Sequence, residues 1–491
     1  MRSAESKLTI NFMKYNAVII GAGLGGLTAG AKLAREGRRV LVVEQHSRPG
    51  GCATTFRRGD FTLEVGLHEM DGPSPGDMKT RVFNELEVFD NVSFVNVPEF
   101  YHFVNDRVKI TVPHDPAEAA KILKEAFPND TGGIDNYFER LLNPVRKRPG
   151  DVNIKDISVG EFLDSIIRSD DLKLVLLGNL GYFNDDPYTL SLAYYSAAQG
   201  SYYKNGASFI KGGSQVLSDH LAGFIRKHGG DIIVNHFVTE IFQENGKLAG
   251  IKFKKNNRSS SEITTAYADE IIANCAIPNL SAMLPGEFGK RVKEEIGTQK
   301  PGASLLSVYF GFDGLLKDIG NRFYSTFVYD PSVKSQADIL KNNRGDFRTR
   351  SFTFVDYGMI ESELASEGKS VGALCCIDYP GDWENMTDKE YRSKKEMVTG
   401  IFIERLGKLI PGFAELTAYH EAGTSLTIKR YTLNTEGAVY GFAQLPGRSP
   451  VNMSDISDNL HSASAWGRTG GGFSGAIMGG YLCAFNILRK R

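Results

Sequence analysis

The chain has few cysteines and no pattern among them. Cys52, Cys275, Cys375, Cys376 and Cys483 form an odd, scattered set in 491 residues, with no CxxC pair and no CxxCH. That excludes a cysteine zinc site, a dithiol redox motif and c-type haem attachment, and it points to a reducing, cytoplasmic compartment. Long apolar runs are also missing. No window approaches the 18 or so consecutive apolar residues that span a bilayer, and the opening MRSAESKLTINFMKYN offers no apolar leader segment. The expectation is a chain that meets a membrane, if at all, only peripherally. Excess charge of either sign is absent, with 57 Lys and Arg against 58 Asp and Glu. Without a strong positive field, nucleic acid is not an expected partner. Internal repeats and low-complexity segments are absent too. What remains is 41% apolar and 23% charged, enough to bury a large core beneath a wettable surface.

The first clear pattern is Ala17–Ile20, a short apolar run that ends at Gly21 and is followed by apolar residues at helical spacing through GAGLGGLTAGAKLAREG. Gly37 stops that helix, and Val40–Val43 is a second uninterrupted apolar strand ending in Glu44. Strands apolar on both faces belong in a parallel sheet, so this is a βαβ unit. Within it, Gly21, Gly23 and Gly26 have the GxGxxG spacing, with Gly25 beside them. Such glycines allow a tight turn and let a diphosphate approach a helix N-terminus, whose free N–H groups favour negative charge. Glu44 follows 21 residues after Gly23, where a carboxylate accepts from both ribose hydroxyls and disfavours a 2′-phosphate. Together these features predict a dinucleotide site. No second GxGxxG unit for a nicotinamide cofactor is present.

A second glycine pair, Gly50-Gly51, returns the backbone toward the same phosphates. From VIIGAGLGG through EQHSRPGGCATTFRRGDFTLEVGLHEMDG the sequence resembles the FAD-dependent phytoene desaturase, carotenoid isomerase and retinol saturase group of the flavin amine oxidase superfamily. Two later stretches resemble the same group: KGGSQVLSDHLAGFIRKHGGDIIVNHFVTEIF, and GAVYGFAQLPGR followed by GGGFSGAIMGGYLCAF. The resemblance implies FAD as cofactor. It also implies that Val238 meets the adenine edge through its backbone, and that Gly471, Gly472, Phe473, Ser474 and Ala476 start a helix aimed at the flavin pyrimidine. Such a helix end stabilises negative charge on the reduced ring.

The implied fold class is α/β, a Rossmann-type FAD-binding domain with a discontinuous α+β substrate domain. The expected division is 1–80, 205–285 and 440–491 for FAD, and 81–204 and 286–439 for substrate. Helices are expected at 117–126, 159–167 and 392–409, the last stopped by Pro411. One segment departs from the group's pattern: NLHSASAWGRT is more polar than the usual apolar strand, through His461, Ser462, Ser464 and Arg468.

The substrate region offers no nucleophile, metal cluster or paired carboxylates. His68 and Glu69 are its best-placed polar groups, with His68 the acid–base candidate and a purely structural histidine the competing reading. Cys52 reads as an inert thiol, and Cys375-Cys376 as strand residues on opposite faces. Tyr182, Phe183, Tyr188, Tyr194, Tyr195, Tyr202 and Tyr203 either line an apolar tunnel or pack a core. The family implies isomerisation, saturation or desaturation of a carotenoid or retinoid, an apolar small molecule, with the electron partner unassigned. An amine oxidase-like enzyme on another apolar substrate, and a non-catalytic lipid or pigment carrier, are the alternatives.

Overall fold

Val40–Val43 and Ala17–Ile20 are buried at every position because both faces of the sheet they enter are covered. The computed structural model describes residues 13–144, 154–257 and 262–490; the opening stretch 1–12, most of the segment read for a leader, lies outside the described residues. Strand Met13–Ile20 pairs in parallel with Val40–Val43 on one side and Ile263–Ala273 on the other. Asp231–Ile233 extends the sheet beyond Val40–Val43, also in parallel. The sheet then forks. The C-terminal end of Ile263–Ala273 carries the parallel strand Leu460–Ser462, while its N-terminal half carries the antiparallel hairpin His236–Glu244 and Lys247–Lys255.

Helix Leu24–Arg35 leaves the first strand and is crossed by the C-terminal helix Gly472–Arg489. Glycines set the closeness of that crossing. A Cβ on Gly25 would lie 1.7 Å from the Ala463 carbonyl oxygen, and one on Gly480 would lie 2.1 Å from the Gly25 carbonyl oxygen. The distant C-terminal segment is therefore seated directly on the first turn.

A second sheet runs in the order Thr417–Gly423, Ser304–Phe312, Ser370–Asp378, Phe352–Asp356, Ser325–Val328, Tyr101–Val104, Lys109–Val112, parallel only between Ser325–Val328 and Tyr101–Val104. All nine residues of Ser370–Asp378 are buried. On one face Phe402 and Leu406 of helix Asp388–Leu409 pack against it. On the other, Tyr309, Tyr324, Val355 and Ala373 share one core with Ala22 and Leu24 of the first turn. The small sheet Met70–Asp71, Ala207–Ile210 and Phe94–Asn96 lies at this junction. A separate core gathers helices Pro116–Ala126, Thr131–Leu142, Val159–Ile166 and Leu192–Asn205 around Phe100 and Phe103.

One expectation is corrected and two are refined. The helix expected from Arg392 begins at Asp388, where Thr387 and Glu390 form a capping box that apolar spacing does not reveal. Of the polar segment, only Leu460–Ser462 is strand; His461 pairs with Glu270 at 2.6 Å and Arg468 is exposed, so its polarity is satisfied locally. The tyrosine cluster divides. Tyr195 and Tyr203 belong to the helical core, with the Tyr195 and Tyr137 hydroxyls 2.8 Å apart. Tyr188 is partly exposed and donates to Asp164 at 2.9 Å. Tyr182, Tyr194 and Tyr202 are partly buried at the edge of that helical core, and Tyr202 also packs against the core shared with the first turn.

Candidate active site

At Gly21 the backbone takes φ +97°, a value few side chains tolerate, and the chain turns into helix Leu24–Arg35. Gly23 caps that helix without a side-chain bond, which leaves N–H groups free for a ligand. The second glycine turn stacks on the first: Gly50 N–H donates to the Ala22 carbonyl at 2.8 Å, and a Cβ on Gly51 would lie 3.2 Å from the Gly23 Cα. A Cβ on Gly26 would lie 2.4 Å from the Gly21 carbonyl oxygen. Asn274, at the end of Ile263–Ala273, buttresses the turn by donating its side-chain amide to the Gly21 carbonyl at 3.1 Å.

Glu44 is buried at the end of Val40–Val43 and accepts from Ala22 N–H at 2.7 Å and His46 N–H at 2.8 Å. His236 N–H reaches the Glu44 carbonyl at 2.9 Å, which places Val238 on the neighbouring strand, buried and followed at once by a β-bulge. A bulge leaves backbone groups out of the ladder.

Gly471 caps helix Gly472–Arg489, again with no side-chain bond. A Cβ on Gly471 would lie 2.4 Å from the Tyr440 Cα, whereas one on Gly472 would meet nothing within 4 Å. This helix end therefore opens onto free space. Phe473 and Ala476 pack against the shared core, and the Ser474 hydroxyl donates to Asp71. Asp71 also accepts from Ser201 and forms a buried ion pair with Lys79 at 2.8 Å, while Lys79 reaches Asp77 at 2.7 Å. Asp71 gave no sequence signal, because Ser201 and Ser474 reach it only through the fold, across 130 and 403 residues of chain.

Across the junction, the hydroxyls of Tyr309, Tyr357 and Tyr324 donate to the carbonyls of Val65, Leu67 and His68. The second sheet thereby grips the loop that carries His68. The ring nitrogens of His68 lie 3.2 Å from the Tyr182 hydroxyl and 3.3 Å from Cys375 Sγ. Burial pushes its pKa down to about 4, so the ring is neutral at pH 7, and burial pushes the Cys375 thiol up to about 12. Cys52 is likewise pushed up by burial, to about 11, as an inert thiol would be. A cleft lined by Leu180, Leu305, Tyr329, Ile339, Phe352 and Ile377 reaches Tyr182 and Cys375, the two partners of His68. Tyr440 and Tyr194 border Gly471 and Gly470. Among the described residues no cluster of His, Cys, Asp and Glu could hold a metal, and no helix is long and apolar enough to cross a membrane.

Two helix N-termini without side-chain caps, stacked glycine turns and a carboxylate at the second strand's end suit the phosphates, ribose and pyrimidine edge of a dinucleotide. Fold and site define a flavin-type dinucleotide-binding protein. A family model described as flavin containing amine oxidoreductase matches residues 24–488, and the chain belongs to that family. It is accordingly an FAD-dependent enzyme. It is 25% identical to an all-trans-retinol 13,14-reductase of Danio rerio, over 97% of this chain and 86% of that one. It is also 25% identical to prolycopene isomerase 2, chloroplastic, of an Oncidium hybrid cultivar, over 96% and 84%. Similar solved structures include an oxidoreductase from Methanosarcina mazei (TM-score 0.68, 18% identity, 97% of this chain and 100% of that one) and putrescine oxidase bound to putrescine (0.65, 14%, 98% and 100%). The structural likeness establishes the fold alone.

Proposed function

We propose that this protein acts on a long isoprenoid polyene of carotenoid or retinoid type, by isomerisation, saturation or desaturation beside the flavin. The observation that carries the reading is the match, over nearly the whole chain, to relatives named for retinol reduction and prolycopene isomerisation. A narrow cleft of about 50 Å³, lined by Leu180, Leu305, Phe352 and Ile377 beside Asn343, Ser351 and Thr353, reaches Tyr182 and Cys375, the two partners of the neutral His68, and supports it. A conjugated chain suits such a site, because charge developing in the reaction spreads along the polyene.

In this reading Gly21, Gly23, Gly25 and Gly26, with Gly50 and Gly51, hold the FAD diphosphate, Glu44 the ribose, and Val238 the adenine edge. Gly471, Gly472, Phe473, Ser474 and Ala476 face the flavin pyrimidine. FAD, when bound, supplies the redox chemistry. His68 holds an uncharged polar ring against Tyr182 and Cys375, which line the cleft. Residues 1–80, 205–285 and 440–491 serve the cofactor, and 81–204 and 286–439 the substrate. A cytoplasmic enzyme that draws its substrate from a membrane surface fits exposed Leu482 and Phe485 near the basic Arg489 and Lys490.

Anaerobic photoreduction followed by all-trans-retinol, a cis-carotenoid or phytoene, with chromatography of the products, tests the reading. Conversion of one of them is expected; no change in any would count against it. The tyrosines bordering Gly470 and Gly471 favour a second reading, an aromatic pocket for an amine, which predicts peroxide release with amines instead.

A further inference from the structure

Glu69 is only 7% exposed, and neither carboxyl oxygen has a hydrogen-bond partner. Leaving an ionised carboxylate in that state costs several kcal/mol, so such a group stays protonated or is relieved by a ligand. Among the described residues, no cation acts on it. Lys79, the buried ammonium on the next helix, is committed to Asp71 and Asp77. The charged groups that act on Glu69 are Asp71 and Glu99, both acidic, and Tyr182, Tyr202 and Tyr324 of three other elements lie within electrostatic range of it. His68 beside it is neutral, with both ring nitrogens engaged. Burial and like charge together hold the Glu69 carboxyl well above the usual carboxylate range.

Placement supplies the rest. Glu69 follows His68, whose partners Tyr182 and Cys375 line the cleft, and precedes by two residues Asp71, which holds Ser474 at the open N-terminus of helix Gly472–Arg489. The unsatisfied acid therefore sits in the chain between a residue tied to the cleft lining and one tied to that helix end.

We propose that Glu69 is a catalytic proton donor and acceptor of this site, exchanging a proton with one carbon of the bound polyene. The proposal rests on the polyene reading above. The Glu69 carboxylic acid protonates one sp² carbon, using two π electrons to form the new C–H bond. This leaves a carboxylate on Glu69 and a cation delocalised along the remaining conjugated chain. Rotation about the weakened bond, then return of a proton from that carbon to Glu69, restores both acid and polyene as the other geometric isomer. The exchange consumes no oxidant or reductant.

The test uses the full FAD-loaded chain. An infrared difference spectrum between wild type and Glu69→Gln, taken at neutral pH without substrate, is expected to contain the carbonyl stretch of a protonated carboxylic acid, absent from the variant. Turnover in D₂O is expected to place deuterium on one polyene carbon, and Glu69→Gln to slow this by at least about 100-fold while polyene affinity is retained. Should Glu69→Gln fail to fold, Glu69→Asp serves, with the carbonyl band shifted and exchange slowed. No carbonyl band, conversion without deuterium uptake, or exchange by Glu69→Gln at the wild-type rate overturns the assignment of Glu69 and leaves the polyene reading standing. No conversion of any polyene by the wild type overturns both.

Discussion

Glu64 and Glu69 lie on one short stretch of chain, both buried, in opposite circumstances. Glu64 accepts from the backbone N–H groups of Gly66, Leu67 and Ser214 and from the Ser214 hydroxyl, at 2.7–3.1 Å. It ties the strand before His68 to the returning segment around Gly213, and its polarity is consumed in doing so. Glu69 has no donor at all. Unsatisfied buried groups are rare in folded proteins and concentrate at functional sites. The glycine turns and the strand leading to His68 are thus closed by their own hydrogen bonds, while Glu69 keeps its polar group in reserve.

Substitutions on the two sides should separate accordingly. The largest loss is expected from Lys79→Met, which strands Asp71 and Asp77 as buried charges and should cost about 3–5 kcal/mol in denaturant unfolding. A cost below about 1 kcal/mol would mean that the pair is not buried as described. Gly25→Ala drives a Cβ into the Ala463 carbonyl at the helix crossing. It should cost about 1–3 kcal/mol and release flavin, read as absorbance per chain after gel filtration. Gly400→Ala, in helix Asp388–Leu409 with nothing within 4 Å of the added Cβ, should instead stabilise by about 0.5–1 kcal/mol.

Glu64→Gln turns an amide NH₂ toward groups that are already donors and should cost about 1.5–3 kcal/mol at pH 7. Glu69→Gln should have the smallest effect in acid and the opposite sign above it. In the unfolded chain Glu69 ionises in the ordinary carboxylate range, whereas in the folded protein it holds its proton to a much higher pH. Its contribution is therefore present below the ordinary range and lost as pH rises toward the raised folded pKa. Melting curves from pH 4 upward should show Glu69→Gln gaining on wild type as pH rises. A constant difference across that range would remove the contrast with Glu64.

The cradle was legible in the sequence because its determinants are local: glycine spacing, an apolar strand on either side, and a carboxylate closing the second strand. Gly471-Gly472 came from the family resemblance instead. The junction was not legible. His68 meets Cys375 across 307 residues of chain, and Asp71 meets Ser474 across 403. Asn274 supports the first turn from 253 residues away, and its amide carried no local signal. The tyrosine cluster was visible as composition, but only burial separates Tyr195 and Tyr203, which build a helical core, from Tyr182 beside His68.

The most direct measurement is a titration of the purified flavoprotein with a polyene and, separately, with an alkyl amine, following the flavin absorption bands. The account predicts a saturable perturbation by the polyene and none by the amine. Perturbation by the amine alone would contradict it.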